Sequence, residues 1–191
     1  MSLQYKSISV DLDSFTLSET GEFSCYGSIF GVIDHANEVT TEQTFIESIE
    51  KFKSRQTMPI FLWNHNEDQI IGKWLEMTID DTGLLLKGKF NLDIEESKNR
   101  YLQLKNNEVN SFSIGYYVHP DDITTNGEVK TLNNVDLMEV SLVPFACNPA
   151  AMVIDVKNQS HKNQNIQNIQ NIQKRKTSID HFKAAFARSR K

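Results

Sequence analysis

The sequence predicts an α+β protein that is mainly β: a compact β-barrel or a twisted antiparallel sheet, flanked by a few helices. Many short segments rich in β-branched and aromatic residues are separated by turn residues. Two further segments show helical spacing of apolar residues, and the composition changes abruptly after Val156. We therefore expect a folded body over residues 1–156, an Asn/Gln-rich linker over 157–176 and a basic amphipathic segment over 177–191, the last two forming a disordered or helical C-terminal tail.

The strand-like segments are rich in residues that favour β-structure. They are residues 5–17, 23–33, 58–63, 70–79, 84–90, 109–118 and 135–143. Asp80-Asp81-Thr82-Gly83 predicts a hairpin turn between two of them, and Asn126-Gly127 predicts another turn. Pro144 and Pro149 end the last strand region.

Two helices are predicted between the strands. The first opens at Thr40, with Gln43 at capping-box spacing, and Phe45, Ile49 and Phe52 recur on one face.

The second helix begins at Asp93-x-x-Glu96 and continues to about Leu104. We expect Ile94, Tyr101 and Leu104 to face the interior.

Charge is unevenly distributed along the chain. Residues 157–191 hold nine Lys/Arg and one acid, a net charge of +8, whereas residues 1–156 carry −13 within an overall charge of −5. An acidic body argues against direct nucleic-acid binding by the body, because phosphate contacts need a positive surface. Asn163–Gln173 repeats Asn-Ile-Gln and lacks the apolar bulk for a core.

Composition excludes several classes of protein and site. No run approaches the roughly 18 apolar residues of a membrane span, and the N-terminus lacks the apolar stretch of a secretory signal. Cys25 and Cys147 are too few for a disulfide scaffold, so a reducing cytosol is expected. No cofactor fingerprint is present, and His65, His119 and Asp121 lack metal-site spacing, so we expect neither cofactor nor metal.

Three segments contain residues suited to nucleophilic catalysis. His65 follows an apolar strand in Phe61-Leu62-Trp63-Asn64-His65, and an imidazole can take a proton from a hydroxyl and return it to a leaving amine. Ser111 and Ser113 share one face of a predicted strand, and Gly115 would permit close approach of a substrate backbone. Each segment alone is more typical of a surface histidine or of ordinary strand serines.

The third segment is Asp136-Leu137-Met138-Glu139-Val140-Ser141. Alternation places Glu139 on one face with Leu137 and Ser141. A carboxylate in an apolar strand is costly unless paired, so Glu139 is suited to orient an imidazole. The alternatives are an exposed Glu on a wet face, or another acid such as Asp136 beside His65.

Taken together, these segments resemble the prohead maturation proteases of tailed bacteriophages, serine peptidases related to the herpesvirus assemblins. The order and spacing of the matching pieces, within residues 23–153, carry the resemblance. The pieces are Tyr26-Gly27-Ser28-Ile29-Phe30-Gly31-Val32-Ile33-Asp34, Leu62-Trp63-Asn64-His65, Ile71-Gly72, Asp81-Thr82-Gly83-Leu84, Lys87-Gly88, Phe112-Ser113-Ile114-Gly115-Tyr116, Glu139-Val140-Ser141-Leu142-Val143 and Asn148-Pro149-Ala150.

The resemblance implies a Ser/His/acid endopeptidase in which residues 1–156 form the protease domain. It implies His65 as the base, Ser113 rather than Ser111 as the nucleophile, and Glu139 as the acid. The backbone N–H groups of Ile114 and Gly115 are the expected oxyanion donors. Phe112 departs from the small or aliphatic residue usual before the family's serine. After the last strand this chain has Phe145-Ala146-Cys147-Asn148-Pro149, where the family often has Pro-Ala-Asn-Pro.

The resemblance also implies a biological role. Such enzymes act in the host cytoplasm, inside the immature procapsid, on scaffold or on the scaffold-like segment of the capsid protein, and often on themselves. Residues 157–191 would then be a cleavable interaction segment whose Ile179, Phe182 and Phe186 dock on an acidic helical scaffold. No membrane partner is expected, and the oligomeric state, including a homo-oligomer, is open.

Two rival interpretations are left open. One is a catalytically inactive, capsid-associated structural β-barrel, which a lack of hydrogen-bonding reach between Ser113 and His65 would favour. The other is a β-barrel that binds a small ligand, which would need a large apolar cavity.

Overall fold

The computed structural model describes residues 4–9 and 17–144, all within one compact unit, Met1–Val156. Ten strands and two helices lie in these residues. The strands are β1 (Gln4–Ser9), β2 (Glu22–Ile29), β3 (Glu38–Thr40), β4 (Ile60–Trp63), β5 (Asn66–Ile79), β6 (Gly83–Phe90), β7 (Ser111–Tyr117), β8 (Ile123–Asn126), β9 (Val129–Leu132) and β10 (Asp136–Val143). The helices are α1 (Gln43–Arg55) and α2 (Glu95–Lys105).

Seven strands form one sheet in the order β1-β7-β10-β4-β5-β6-β2. Neighbours are antiparallel except β10 and β4, which are parallel. The sheet curls into a half-barrel, so that β2 at one end of the order also contacts β7 near the other. The mainly β class is therefore confirmed, and β3, β9 and β8 add a small second sheet.

The core fills the inside of the curled sheet with aromatic side chains. Phe112 is fully buried and stacks on Phe23 with ring centroids 5.5 Å apart, and Phe61 lies 4.6 Å from Trp74. Phe112 is therefore a core residue. Since successive strand residues point to opposite faces, Ser113 lies on the face of β7 opposite the aromatic core.

A β-bulge at Met138 sets the faces of β10. Leu137 pairs with Tyr116 and Glu139 pairs with Gly115, so β10 has one extra residue between these pairs. Directly paired residues share a face, and Tyr116 and Gly115 point to opposite faces. The prediction that Leu137 and Glu139 share a face is therefore wrong: Leu137 joins the core, whereas Glu139 lies on the face of Ser113.

Helix α1 is anchored at the start of β10. The Ser48 hydroxyl donates to the Val135 carbonyl (2.5 Å) and accepts the Leu137 N–H (2.9 Å). Lys51 forms an ion pair with Asp136 on the surface. These contacts fix the entry of the chain into β10, the strand that carries Glu139.

The helix predictions are confirmed except at their first turns. Phe45 and Ile49 are buried, and Phe52 packs against the core. Thr40 is not the cap of α1: it belongs to β3, where its hydroxyl lies 2.6 Å from that of Ser28, and Glu42 holds the cap position without a side-chain bond.

In α2, Tyr101 and Leu104 are buried as expected, but Ile94 is 49% exposed. Ile94 lies outside the helix, at its extended cap position, so helical periodicity does not set its direction.

Both turn predictions are confirmed. Asp80 Oδ1 accepts the N–H groups of Thr82 and Gly83 in the β5–β6 turn, and Asn126 pairs with Val129 around the β8–β9 turn. The linker, the tail and Cys147 lie outside the described residues. Within the described ranges, no helix has the length and apolar character needed to cross a membrane.

Candidate active site

His65 lies at the tip of the hairpin that joins β4 to β5. Trp63 pairs with Asn66, so the loop consists of Asn64 and His65 alone. Both have positive φ angles, 51° and 59°, which is the signature of a type I′ turn. Asn and His tolerate this left-handed conformation better than most residues, so the tight turn holds the His65 backbone in a defined position.

Strand β10 anchors this turn at three points. The Asn64 N–H donates to the Leu142 carbonyl (2.9 Å), and the His65 N–H donates to Ser141 Oγ (3.2 Å). The third contact joins imidazole Nδ1 of His65 to Oε1 of Glu139 at 2.6 Å. Together they hold the imidazole against the face of β10 that carries Glu139 and Ser141.

The His65–Glu139 pair is largely shielded from solvent. The two side chains are 16% and 6% exposed. An ionised carboxylate only accepts hydrogen bonds, so with Glu139 ionised this contact places a proton on Nδ1, and in the neutral imidazole Nε2 is then the basic nitrogen. That arrangement matches the base and orienter of a Ser/His/acid set.

Gly115 provides the space that Glu139 occupies. A Cβ added at residue 115 would lie 2.1 Å from Oε1 of Glu139 and within 3.0 Å of two further atoms of that side chain. The sequence suggested that Gly115 admits a substrate backbone. In the structure the space beside Gly115 instead holds the carboxylate that contacts His65.

Ser113 lies next to this pair but is not bonded to it. Ser113 pairs with Ser141 in the β7–β10 ladder, on the face that also holds Glu139. Its hydroxyl is fully buried and has no hydrogen-bond partner among the described residues. The bond between Ser113 and His65 is therefore not made in this structure, although such bonds often tighten only when substrate is bound.

The other candidates lie apart from the cluster formed by His65, Glu139, Ser113 and Ser141. The Ser111 hydroxyl donates to Oδ1 of Asn110 (3.2 Å), and Asp136 is an exposed partner of Lys51. His119 contacts Asp121. Within the described part of the chain, no three His, Cys, Asp or Glu residues are grouped closely enough to hold a metal ion.

Ile114 and Gly115, the predicted oxyanion donors, are interior residues of the sheet. Strand β7 pairs with β1 on one side and with β10 on the other at both positions. Ladder pairing engages backbone N–H groups, so these groups would have to leave the ladder to bind an oxyanion. The assignment stays a prediction.

A model of the caudovirus prohead serine protease family matches residues 7–167. The chain belongs to this family. The resemblance stated from the sequence motifs is thereby confirmed, and membership supports a serine peptidase that acts in capsid maturation within the phage procapsid.

A solved structure gives an independent comparison of the fold. The structure of the bacteriophage T4 capsid assembly protease, gp21, matches with a TM-score of 0.57 at 9% identity, over 74% of this chain and 96% of that one. At this identity the likeness concerns the fold. No curated protein matches the chain.

Sequence reasoning missed one member of the cluster. Ser141 contacts both Glu139 and the His65 backbone, whereas alternation along the strand predicts only that it shares a face with Glu139. Its spacing of two residues from a buried carboxylate was the available signal. The paired position of Ser113 depends on strand register, which sequence alone does not give.

Proposed function

We propose that the protein is a prohead endopeptidase in which Ser113 is the nucleophile, His65 the general base and Glu139 the residue that orients His65. The observation that carries the proposal is the partly buried 2.6 Å contact between His65 Nδ1 and Glu139 Oε1 on the face of the sheet that holds Ser113.

The reaction is acyl transfer from the peptide to water. His65 Nε2 takes the Ser113 proton as Oγ attacks the scissile carbonyl, and Glu139 stabilises the resulting imidazolium through Nδ1. The imidazolium then gives its proton to the leaving amine, and the acyl-enzyme forms. A water, deprotonated by the same imidazole, attacks the acyl-enzyme. The imidazolium returns this proton to Ser113 Oγ as the acyl bond breaks and the new C-terminus is released.

The substrates we propose are the scaffold, or the scaffold-like segment of the capsid protein, and the chain itself. Residues 157–191 carry +8 beside a body of −13, a charge that suits docking on an acidic helical partner. Cleavage within the linker would separate this segment from the protease domain.

A catalytically inactive structural β-barrel is the second candidate. One observation favours it: Ser113 has no hydrogen bond to His65 in this structure. The two candidates differ in whether the chain cleaves a peptide bond at all.

Intact-protein mass spectrometry distinguishes them. Purified full-length chain is incubated alone beside the Ser113→Ala, His65→Ala and Ser111→Ala variants, and mass is followed over time. We expect wild type and Ser111→Ala to shorten, with cuts between about residues 155 and 180 where the sequence is of linker type. The other two variants should stay whole.

Two results would oppose the proposal. Equal shortening of all four proteins would assign the cuts to a contaminating protease. If all four stay whole, also with purified scaffold and capsid protein added, the structural candidate is favoured.

A further inference from the structure

Ser141 has no role in the reaction as described, yet its hydroxyl lies at the centre of the site. It is fully buried on β10, two residues from Glu139, and it pairs directly with Ser113. Its Oγ donates a hydrogen bond to Oε2 of Glu139 at 2.5 Å and accepts one from the His65 backbone N–H at 3.2 Å. One hydroxyl therefore contacts the acid and also the turn that carries the base.

The two bonds are compatible and fix different parts of the site. A hydroxyl has one proton to donate and two lone pairs to accept, so both bonds form at once. The carboxylate is then held at both oxygens, Oε1 by His65 and Oε2 by Ser141. The terminal torsion of Glu is intrinsically broad, so a contact at one oxygen alone would leave the carboxylate plane free to turn.

The same bonds argue against Ser141 as an alternative nucleophile. Its proton is donated to the carboxylate of Glu139 rather than to an imidazole nitrogen. The neighbouring Ser113 hydroxyl, by contrast, is not engaged by any described residue.

We propose that Ser141 is a positioning residue that locks the Glu139 carboxylate and the His65 turn to each other. The inference rests on the proposed function of this site. A displacement of reacting groups by about 1 Å lowers the rate on the order of 100-fold. Loss of the two Ser141 hydrogen bonds should therefore lower kcat and change KM little.

The kinetic test compares Ser141→Ala, Ser141→Thr and the control Ser111→Ala, using the full chain and a peptide that spans the mapped cut. Ser141→Ala should lower kcat by about 10- to 100-fold and leave KM within about threefold. Ser141→Thr keeps the hydroxyl and should recover most of kcat. Ser111 is a buried serine on the neighbouring strand outside the cluster, and its variant should match wild type.

Proton NMR provides a readout that does not need activity. The Nδ1 proton of His65, assigned by its loss in His65→Ala, should give a downfield resonance in wild type, Ser111→Ala and Ser141→Thr. In Ser141→Ala it should broaden or move upfield, because the carboxylate partner is no longer fixed. Thermal unfolding of each variant identifies any simple loss of stability.

The outcomes separate this inference from the proposed function. A wild-type kcat and resonance in Ser141→Ala would overturn the positioning role, and so would a lowered melting temperature with an unchanged resonance. If neither wild type nor any variant cleaves a peptide bond but the resonance changes as expected, the proposed protease function fails and the positioning role stands. Absence of the resonance in wild type would overturn the positioning role.

Discussion

Substituting Gly115 with alanine should displace the Glu139 carboxylate from His65. The new Cβ would lie 2.1 Å from Oε1, 2.9 Å from Cδ and 3.0 Å from Cγ of Glu139. Non-bonded atoms settle near 3.5 Å, so the carboxylate must move by at least about 1 Å. The three atoms nearest to the new Cβ all belong to the Glu139 side chain, so that side chain takes the shift.

The expected loss lies between two limits. Misplacing a reacting group by about 1 Å lowers the rate on the order of 100-fold. Disabling the acid of a Ser/His/acid set lowers kcat by up to about 10⁴-fold. We therefore expect kcat of Gly115→Ala to fall by about 10²- to 10⁴-fold, or about 3 to 5 kcal/mol of transition-state stabilisation. KM should stay within about threefold, because the added methyl contacts Glu139 rather than substrate.

A double-mutant cycle provides the matched control for this prediction. In a Glu139→Ala background the obstructed side chain is absent, so adding Gly115→Ala should cause no further loss of kcat. Both rates are measured by mass spectrometry of peptide cleavage, with urea unfolding to confirm the fold. Wild-type turnover in Gly115→Ala, or an equal loss in both backgrounds, would refute the reasoning, as would a large rise in KM alone.

Three further predictions concern stability and reactivity. Ser113→Ala should be more stable than wild type by up to about 1 kcal/mol, because the substitution removes a buried unpaired hydroxyl. Calorimetry should show a Tm raised by about 2–4 °C, and a lowered Tm would contradict the prediction. Asn64→Val should lower the free energy of unfolding in urea by about 1–2 kcal/mol, because a β-branched residue is strained at a φ of 51°. Asn64→Gly should keep a free energy of unfolding near that of wild type. Equal losses in the two variants would count against the turn assignment. Burial raises the pKa of the Cys25 thiol. In a Cys147→Ser protein, the Cys25 thiol should therefore react with a disulfide reagent at about pH 8 only after denaturant unfolds the chain. Rapid labelling of Cys25 in the native protein would contradict this.

Much of the sheet could be predicted because its local signals agree. Alternation along β7 places Ser113 on one face and Phe112 on the other, and the structure bears this out through the stacking of Phe112 on Phe23. The hairpin turns at Asp80 and Asn126 contain Asp, Asn and Gly, residues that favour turns, so the sequence predicts both turns directly.

The details of the site depend on features with weak sequence signals. The bulge at Met138 turns Glu139 to the face of Ser113, yet strict alternation puts Glu139 on the face of Leu137. A bulge adds one residue without a distinctive composition, so only strand register reveals it. The pairing of Ser141 with Ser113 likewise joins two distant segments, and no local pattern specifies it.

The Asn64-His65 turn is an intermediate case. Asn at the first position of a two-residue loop is a known preference of type I′ turns, so the sequence contained the signal. Recognising it required knowing that β4 and β5 pair directly across Trp63 and Asn66.

The central claim is that Ser113 is a nucleophile activated by His65, and active-site labelling tests it most directly. Full-length protein is treated with a fluorophosphonate, digested and mapped by tandem mass spectrometry, beside the His65→Ala and Ser111→Ala variants. The account predicts a single adduct on Ser113 in wild type and Ser111→Ala, and almost none in His65→Ala. An adduct on Ser111 or Ser141, equal labelling without His65, or peptide cleavage by a protein with no labelled serine would contradict it.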